Sequence, residues 1–379
     1  MNAAETADTA VADQRRPLGA RLLGRAGRIA RFAWRWGLGA FLCMSPPGSI
    51  VAAGWALRRA GTAAHATWAG DSTPASRPNW IVADGGQAAL RREATSDGTV
   101  IRRARATLAT LFRSLATNFR VGVAGLLTVW TLTLPGCVLW LVAWHHGWNN
   151  SFAKGYEGAA AGPLTGLLGT ALFIAAMAYV PMAQARQAAT GDWRAFFGFR
   201  TVWRLMSECR LRYLGLAALY AATALPVMAL KTAPFIFTHI DSAREAIGPA
   251  EAREILDGYF LKACLVVFPL FVWLRVLGAR VYAIATLRAA RSGRLQADGL
   301  HAVESEALGV VGPPAAPTRR RGARTLTALW LLALGAVWFA FVAQIFVSEF
   351  LNYHPGVGWL NQPTAQAPWF HYVPGHLKK

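Results

Sequence analysis

Acidic residues are scarce in this chain: 19 Asp and Glu stand against 39 Lys and Arg in 379 residues, a formal net charge of +20. Charge of either sign is scarce as well, at 15% of residues, where a soluble chain carries about 25%. That deficit excludes an ordinary soluble domain. Cysteine is rare too. Cys43, Cys137 and Cys264 lie in apolar segments, Cys209 lies in a segment read below as cytoplasmic, and no external loop holds one, so no periplasmic disulfide framework is expected. Motifs of the common chemistries are missing. There is no Gly-Lys-Ser/Thr phosphate loop, no Gly-x-Ser-x-Gly elbow and no dinucleotide fingerprint.

What the chain has is apolar length. Hydrophobic residues make up 54%, with 16 Trp. Residues 121–144 carry no formal charge, and at about 1.5 Å per residue such a run crosses the ~30 Å hydrocarbon core of a bilayer. Arg113 and Arg120 precede it, whereas His145 to Asn150 follow without a basic residue. Lys and Arg collect on the cytoplasmic side, so this span runs outward. The same rule threads the rest: 158–183 returns, 211–230 goes out, 258–286 returns and 325–347 goes out. Most of the 39 basic residues then fall in cytoplasmic segments. That distribution is an orientation signal, not a groove for phosphates, and it argues against nucleic acid as a partner.

The expected fold is an all-α integral membrane protein. It has five transmembrane helices, an N-terminal re-entrant or interfacial helical hairpin, and amphipathic surface helices. Residues 1–35 read as a disordered tail followed by a basic amphipathic helix, in which Arg15 to Arg35 flank Leu18, Leu22, Ile29 and Phe32. Such a helix suits the anionic lipids of an inner leaflet. Residues 36–57 are long enough to span, but Ser45-Pro46-Pro47-Gly48 breaks them and both flanks are basic. That pattern favours a hairpin turning at the prolines, whose turn must be covered by protein or face a water-filled cavity. Residues 58–120 form a cytoplasmic loop and then an amphipathic helix, expected to run along the inner surface and bend into the first span.

The pattern Gly54-Trp55, Arg58-Arg59 and Pro78-Asn79-Trp80 resembles the amino-terminal part of uncharacterised integral membrane proteins of proteobacteria. The resemblance covers about a fifth of the chain and implies a bacterial inner-membrane address, with no activity attached.

Residues 121–290 form a four-helix membrane core. Gly158, Gly162 and Gly166 are four apart and give one face of the returning helix room for close approach. Pro135 and Pro226 recur in the outgoing spans, and Pro181 and Pro269 in the returning ones. This recurrence fits either a duplicated hairpin or the general frequency of proline in membrane helices. Residues 191–206 read as a short interfacial helix capped by Asp192. Trp193, Phe196 and Trp203 are its anchors at headgroup depth, and Arg200 lies near lipid phosphate. A small separate surface helix is expected after Gly248-Pro249. Residues 291–324 read as a flexible cytoplasmic linker, and 348–379 as an external aromatic tail lying on the outer interface.

Three basic residues fall in or beside the span 258–286: Lys262, Arg275 and Arg280. An arginine at mid-bilayer costs a few kcal/mol or more. Arg275 therefore either snorkels toward the inner surface or faces a polar interior, where it could meet an anion or a lipid headgroup. Histidines gather on the predicted outer side, and His239, His354 and His371 are the candidates for a metal or haem, although no known ligand spacing is present. The cofactor stays unknown.

Three classes of function remain. The first is a non-enzymatic scaffold or accessory subunit with a protein partner or a second copy of itself. The second is a transporter or permease component with a polar site near Arg275. The third is a membrane enzyme or metal protein using the external histidines. Missing catalytic motifs and small external loops favour the first.

Overall fold

The computed structural model describes residues 33–70, 100–144, 161–238, 249–293, 299–309, 323–352 and 359–370. The described chain is helical throughout its regular structure, and no strand occurs among the described residues. Helix α1 covers residues 33–42, and α2 is Pro46–Trp68. Then follow α3, Val100–Val142, and α4, Ala161–Thr190. A 3-10 turn, Trp193–Phe197, leads into α5, Phe199–Glu208. The rest is α6, Arg210–Thr238; α7, Pro249–Arg291; α8, Ala302–Leu308; and α9, Ala323–Asn352.

Five stretches are long and apolar enough to cross a bilayer: Leu111–Val142, Gly162–Thr190, Arg210–Ile236, Glu254–Arg291 and Arg324–Glu349. Their outward faces are apolar, as Leu164, Leu167 and Leu168 on α4 and Leu329, Leu332 and Phe339 on α9 illustrate. Aliphatic faces of this kind are stable against lipid and not against water. The protein is a multi-spanning, all-α membrane protein.

Contacts between helices fix their relative directions. Gly125 and Thr128 of α3 bond to Gln184 and Gln187 of α4, while Gly136 meets Gly169, so α3 and α4 run antiparallel. Arg210 of α6 bonds to Thr327 of α9, and Lys231 to Glu349, so α6 and α9 run parallel. Arg186, Arg210 and Arg288 thereby mark one end of the bundle, and the Lys231–Glu349 pair marks the other.

Residues 33–68 form a helix–turn–helix. Ser45 caps α2 by accepting from the Gly48 amide at 3.3 Å, and Pro46 and Pro47 occupy the first helical positions, where no N–H is needed. Helix α2 is buried and continues to Trp68, well past residue 57, because its apolar face is made of small residues. A Cβ on Gly54 would stand 1.7 Å from the Asn118 carbonyl oxygen, and one on Gly61 2.2 Å from that of Ala188. The helix meets α3 and α4 at backbone-to-backbone distance and packs on α7 as well. Gly54 of the resemblance pattern is thus a packing residue, and Pro78-Asn79-Trp80 lies outside the described residues.

Other expectations change. Residues 100–142 form one uninterrupted helix of 43 residues, about 65 Å long. Its apolar stripe Leu108, Phe112, Leu115 and Phe119 is exposed. Pro249 opens α7 itself, and Gly258 does not break it, so the small separate helix merges with the span. Close approach of α3 and α4 is made at Gly136 and Gly169, where a Cβ on either would lie 2.9 Å from the other's carbonyl oxygen. At Gly166 a Cβ would stand at an ordinary 3.4 Å from Ala143, and Gly158 lies outside the described residues.

Candidate functional site

The interior of the bundle is filled by its own chain. Residues 359–370, Trp-Leu-Asn-Gln-Pro-Thr-Ala-Gln-Ala-Pro-Trp-Phe, follow the last span and are buried almost throughout. Irregular backbone survives at membrane depth only if its polar groups are satisfied by protein, and this segment largely satisfies itself. Asn361 accepts from the Ala367 amide at 3.1 Å and donates to the Trp369 carbonyl at 3.1 Å. Gln366 accepts from the Gln362 amide at 2.8 Å, and its own amide returns to the Gln362 carbonyl at 2.8 Å. Pro363 and Pro368 need no partner for an N–H. The result is a compact, side-chain-tied turn, where an aromatic tail on the outer interface was expected.

Helices α3, α7 and α9 and the α1–α2 turn hold it. From α3, Trp130 donates to the Leu360 carbonyl at 2.8 Å, Thr133 accepts from Gln366 at 3.0 Å and Cys137 donates to the Trp359 carbonyl at 3.1 Å. Trp359 packs on Trp140 with ring centroids 4.1 Å apart and meets Phe346 of α9. From α7, Arg275 donates to the Ala365 carbonyl at 2.7 Å. The Phe370 amide donates to the Cys43 carbonyl at 3.2 Å, which ties one side of the turn between α1 and α2 to the segment, while Ser45, Pro46 and Pro47 remain exposed.

Arg275 is the charged member of this site. It is 4% exposed and does not snorkel. A second donor reaches the Tyr220 hydroxyl at 2.7 Å, and the guanidinium lies 4.5 Å from the centre of the Phe271 ring. Its Nε has no partner, and no carboxylate pairs with it among the described residues. Charge-assisted hydrogen bonds and the ring face replace part of its lost hydration. Lys262 and Arg280 are exposed on α7 and do not join it. Eighteen positions apart, they share one helix face, and Arg275 is turned to another.

A second buried polar site lies at the arginine-bearing end. Arg186 of α4 grips Glu304 of α8 through two bonds of 2.8 Å, and Glu304 is fully buried. Tyr282 of α7 donates to the same carboxylate, and the His301 amide donates to it at 2.6 Å. Arg186 also holds the Gly299 carbonyl at 2.8 Å, which Thr201 of α5 shares at 3.1 Å. Part of the stretch read as a flexible linker is therefore docked. The signal in the sequence was His301 followed three residues later by Glu304, a capping box with histidine in place of Ser or Thr. Nearby, burial pushes the Cys209 thiol above its ordinary range, with Arg288 pulling the other way. A further pair, Lys231 with Glu349 at 2.9 Å, closes the opposite end.

The 191–208 segment divides its aromatics. Asp192 caps it, accepting from the Arg194 amide at 2.9 Å. Trp193 and Trp203 are about half exposed and Arg200 is exposed, consistent with residues at a surface. Phe196 is fully buried; its carbonyl accepts from Tyr179, and its ring packs on that tyrosine. It therefore ties the segment to α4 and does not reach outward. The candidate metal ligands His239, His354 and His371 lie outside the described residues. Among the described residues no three His, Cys, Asp or Glu gather as a metal would need. No family model, no curated protein and no solved structure matches this chain.

Proposed function

We propose that the protein is a non-enzymatic accessory or scaffold subunit of a bacterial inner-membrane complex, with its arginine-bearing end in the cytoplasm. One observation carries this reading: at the level of Arg275 the interior is occupied by residues 359–370, and the inward charges Arg275, Arg186 and Lys231 are bound to groups of the same chain. A protein so filled offers its outer surfaces for work. On the cytoplasmic end, Trp193, Trp203, Arg194 and Arg200 supply indole rings and guanidinium groups that match an anionic lipid surface. The apolar stripe of Leu108, Phe112, Leu115 and Phe119 lies on α3, a helix longer than a bilayer is thick, and would meet a partner or the headgroup layer.

Gentle extraction from native membranes, affinity capture and mass spectrometry test this. The expected result is a defined partner in fixed ratio, with no solute flux from proteoliposomes of the isolated protein. The second reading, a transport component, draws on Arg275 facing a carbonyl oxygen where an anion could sit if the segment withdrew. Anion-dependent flux from the isolated protein, abolished in Arg275→Leu, would establish it and overturn the first.

A further inference from the structure

Cys264 and Met44 bring their sulfur atoms together where the α1–α2 turn, α7 and the end of the 359–370 segment meet, and Cys43, next to Met44 in the chain, belongs to the same packed cluster. Cys43 and Cys264 are fully buried and belong to one packed cluster with Phe260, Phe268 and Phe370. Cys264 Sγ lies 3.8 Å from Met44 Sδ and 3.5 Å from the Phe370 carbonyl oxygen. The Phe370 amide in turn holds the Cys43 carbonyl at 3.2 Å, which pins the turn carrying Cys43 and Met44 beside Cys264. Both thiols are free. Met44 is partly exposed and Ser45, Pro46 and Pro47 are exposed, so the cluster is reached from outside through the thioether.

Two thiols and a thioether make a soft donor set. Thiolate and thioether sulfur select copper(I), whereas hard cations need carboxylates or carbonyls. Zinc sites favour four ligands of nitrogen, oxygen and thiolate sulfur, and here no His, Asp or Glu joins the cysteines among the described residues. The surrounding aromatic rings exclude water, and such a dry shell tunes the affinity and potential of a metal.

We propose that Cys43, Met44 and Cys264 form a three-sulfur binding site for copper(I). On entry the ion meets the Met44 thioether first. It then bonds to both cysteine sulfurs as each thiol loses its proton to solvent. Two Cu–S(thiolate) bonds replace two S–H bonds and no electron is transferred. The loaded set carries one net negative charge, whose burial the two metal–thiolate bonds offset. This inference is independent of the accessory-subunit reading.

The test uses the full chain in detergent, reduced and free of oxygen, titrated with copper(I) against a chromogenic copper(I) chelator. One copper per chain is expected, with affinity rising with pH as the two released protons are drawn off. Cys43→Ser, Cys264→Ser and Met44→Leu should each weaken binding about tenfold or more, whereas Cys137→Ser should not. Met44→Leu conserves volume at a partly exposed position, so it folds and keeps the test decisive even if a buried serine does not. X-ray absorption of the loaded protein should show sulfur neighbours. Unchanged affinity in Met44→Leu, or a nitrogen and oxygen shell around the metal, would overturn the site.

Discussion

Ending the chain at residue 358 lowers the thermal midpoint of the detergent-solubilised protein by on the order of 10 °C. The deletion removes the Ala365 carbonyl, the one hydrogen-bond acceptor that Arg275 finds besides Tyr220 among the described residues. It also strips partners from Trp130, Thr133 and Cys137 in the middle of α3. A buried charge that keeps Tyr220 but loses its other acceptor costs about 1.5–3 kcal/mol, and the emptied volume adds to it. Lipid offers no remedy, since it cannot hydrogen-bond the groups released. Restoring Arg275→Leu in the shortened chain should recover part of the loss, because the unpaired charge is then gone. Differential scanning of the two shortened proteins and the full one checks this. Equal midpoints for the full and shortened chains would mean that the segment contributes little to the fold.

Glu304→Ala is the second large effect. The substitution leaves Arg186, 4% exposed, without its carboxylate, and leaves the Tyr282 hydroxyl and His301 amide without an acceptor. Removing one member of a buried pair costs about 3–5 kcal/mol. The loss has a local face as well: α8 has no other buried polar anchor among the described residues, so limited proteolysis should cut within 299–309 at far lower protease concentration. The double change Glu304→Ala with Arg186→Met replaces a lone charge by an apolar side chain and should be more stable than Glu304→Ala alone. If the double variant is the least stable of the set, the pair acts through something other than mutual compensation.

The apolar spans were legible because they obey a local rule: runs near bilayer length with few or no charges, and arginines gathered at one end. Their ends were less legible. Helix α7 continues outward to Pro249 because Gly258, a helix-weakening residue, is tolerated in its interior, and α3 continues inward to Val100 because nothing there breaks the 3.6-residue period. The hairpin at Pro46-Pro47 was readable from its prolines, whereas its burial depended on Gly54 and Gly61 meeting backbones far along the chain. Arg275 was read as either snorkelling or facing a polar interior; the fold turns it inward, and its partner could not be named from the sequence. Ala365 lies ninety positions away in a segment with no periodicity. One signal was present: residues 350–377 contain no Asp, Glu, Lys or Arg. A polar but uncharged stretch rich in Asn, Gln, Thr and Trp can be buried if it satisfies itself, which a charged tail cannot. Its prolines and aromatics fit an interfacial belt equally well, and only the fold separates the two.

Labelling of Ala365→Cys with a bulky, water-soluble maleimide in detergent tests most directly whether the chain fills its own interior. Ala365 is 1% exposed, and a cysteine there adds one sulfur atom. A cysteine at the exposed Glu251 serves as the reference. The prediction is rapid labelling at position 251 and none at 365 until the protein is denatured. Equal labelling at both positions in the folded protein would place residues 359–370 outside the bundle, and Arg275 would then lack the partner on which this structure depends.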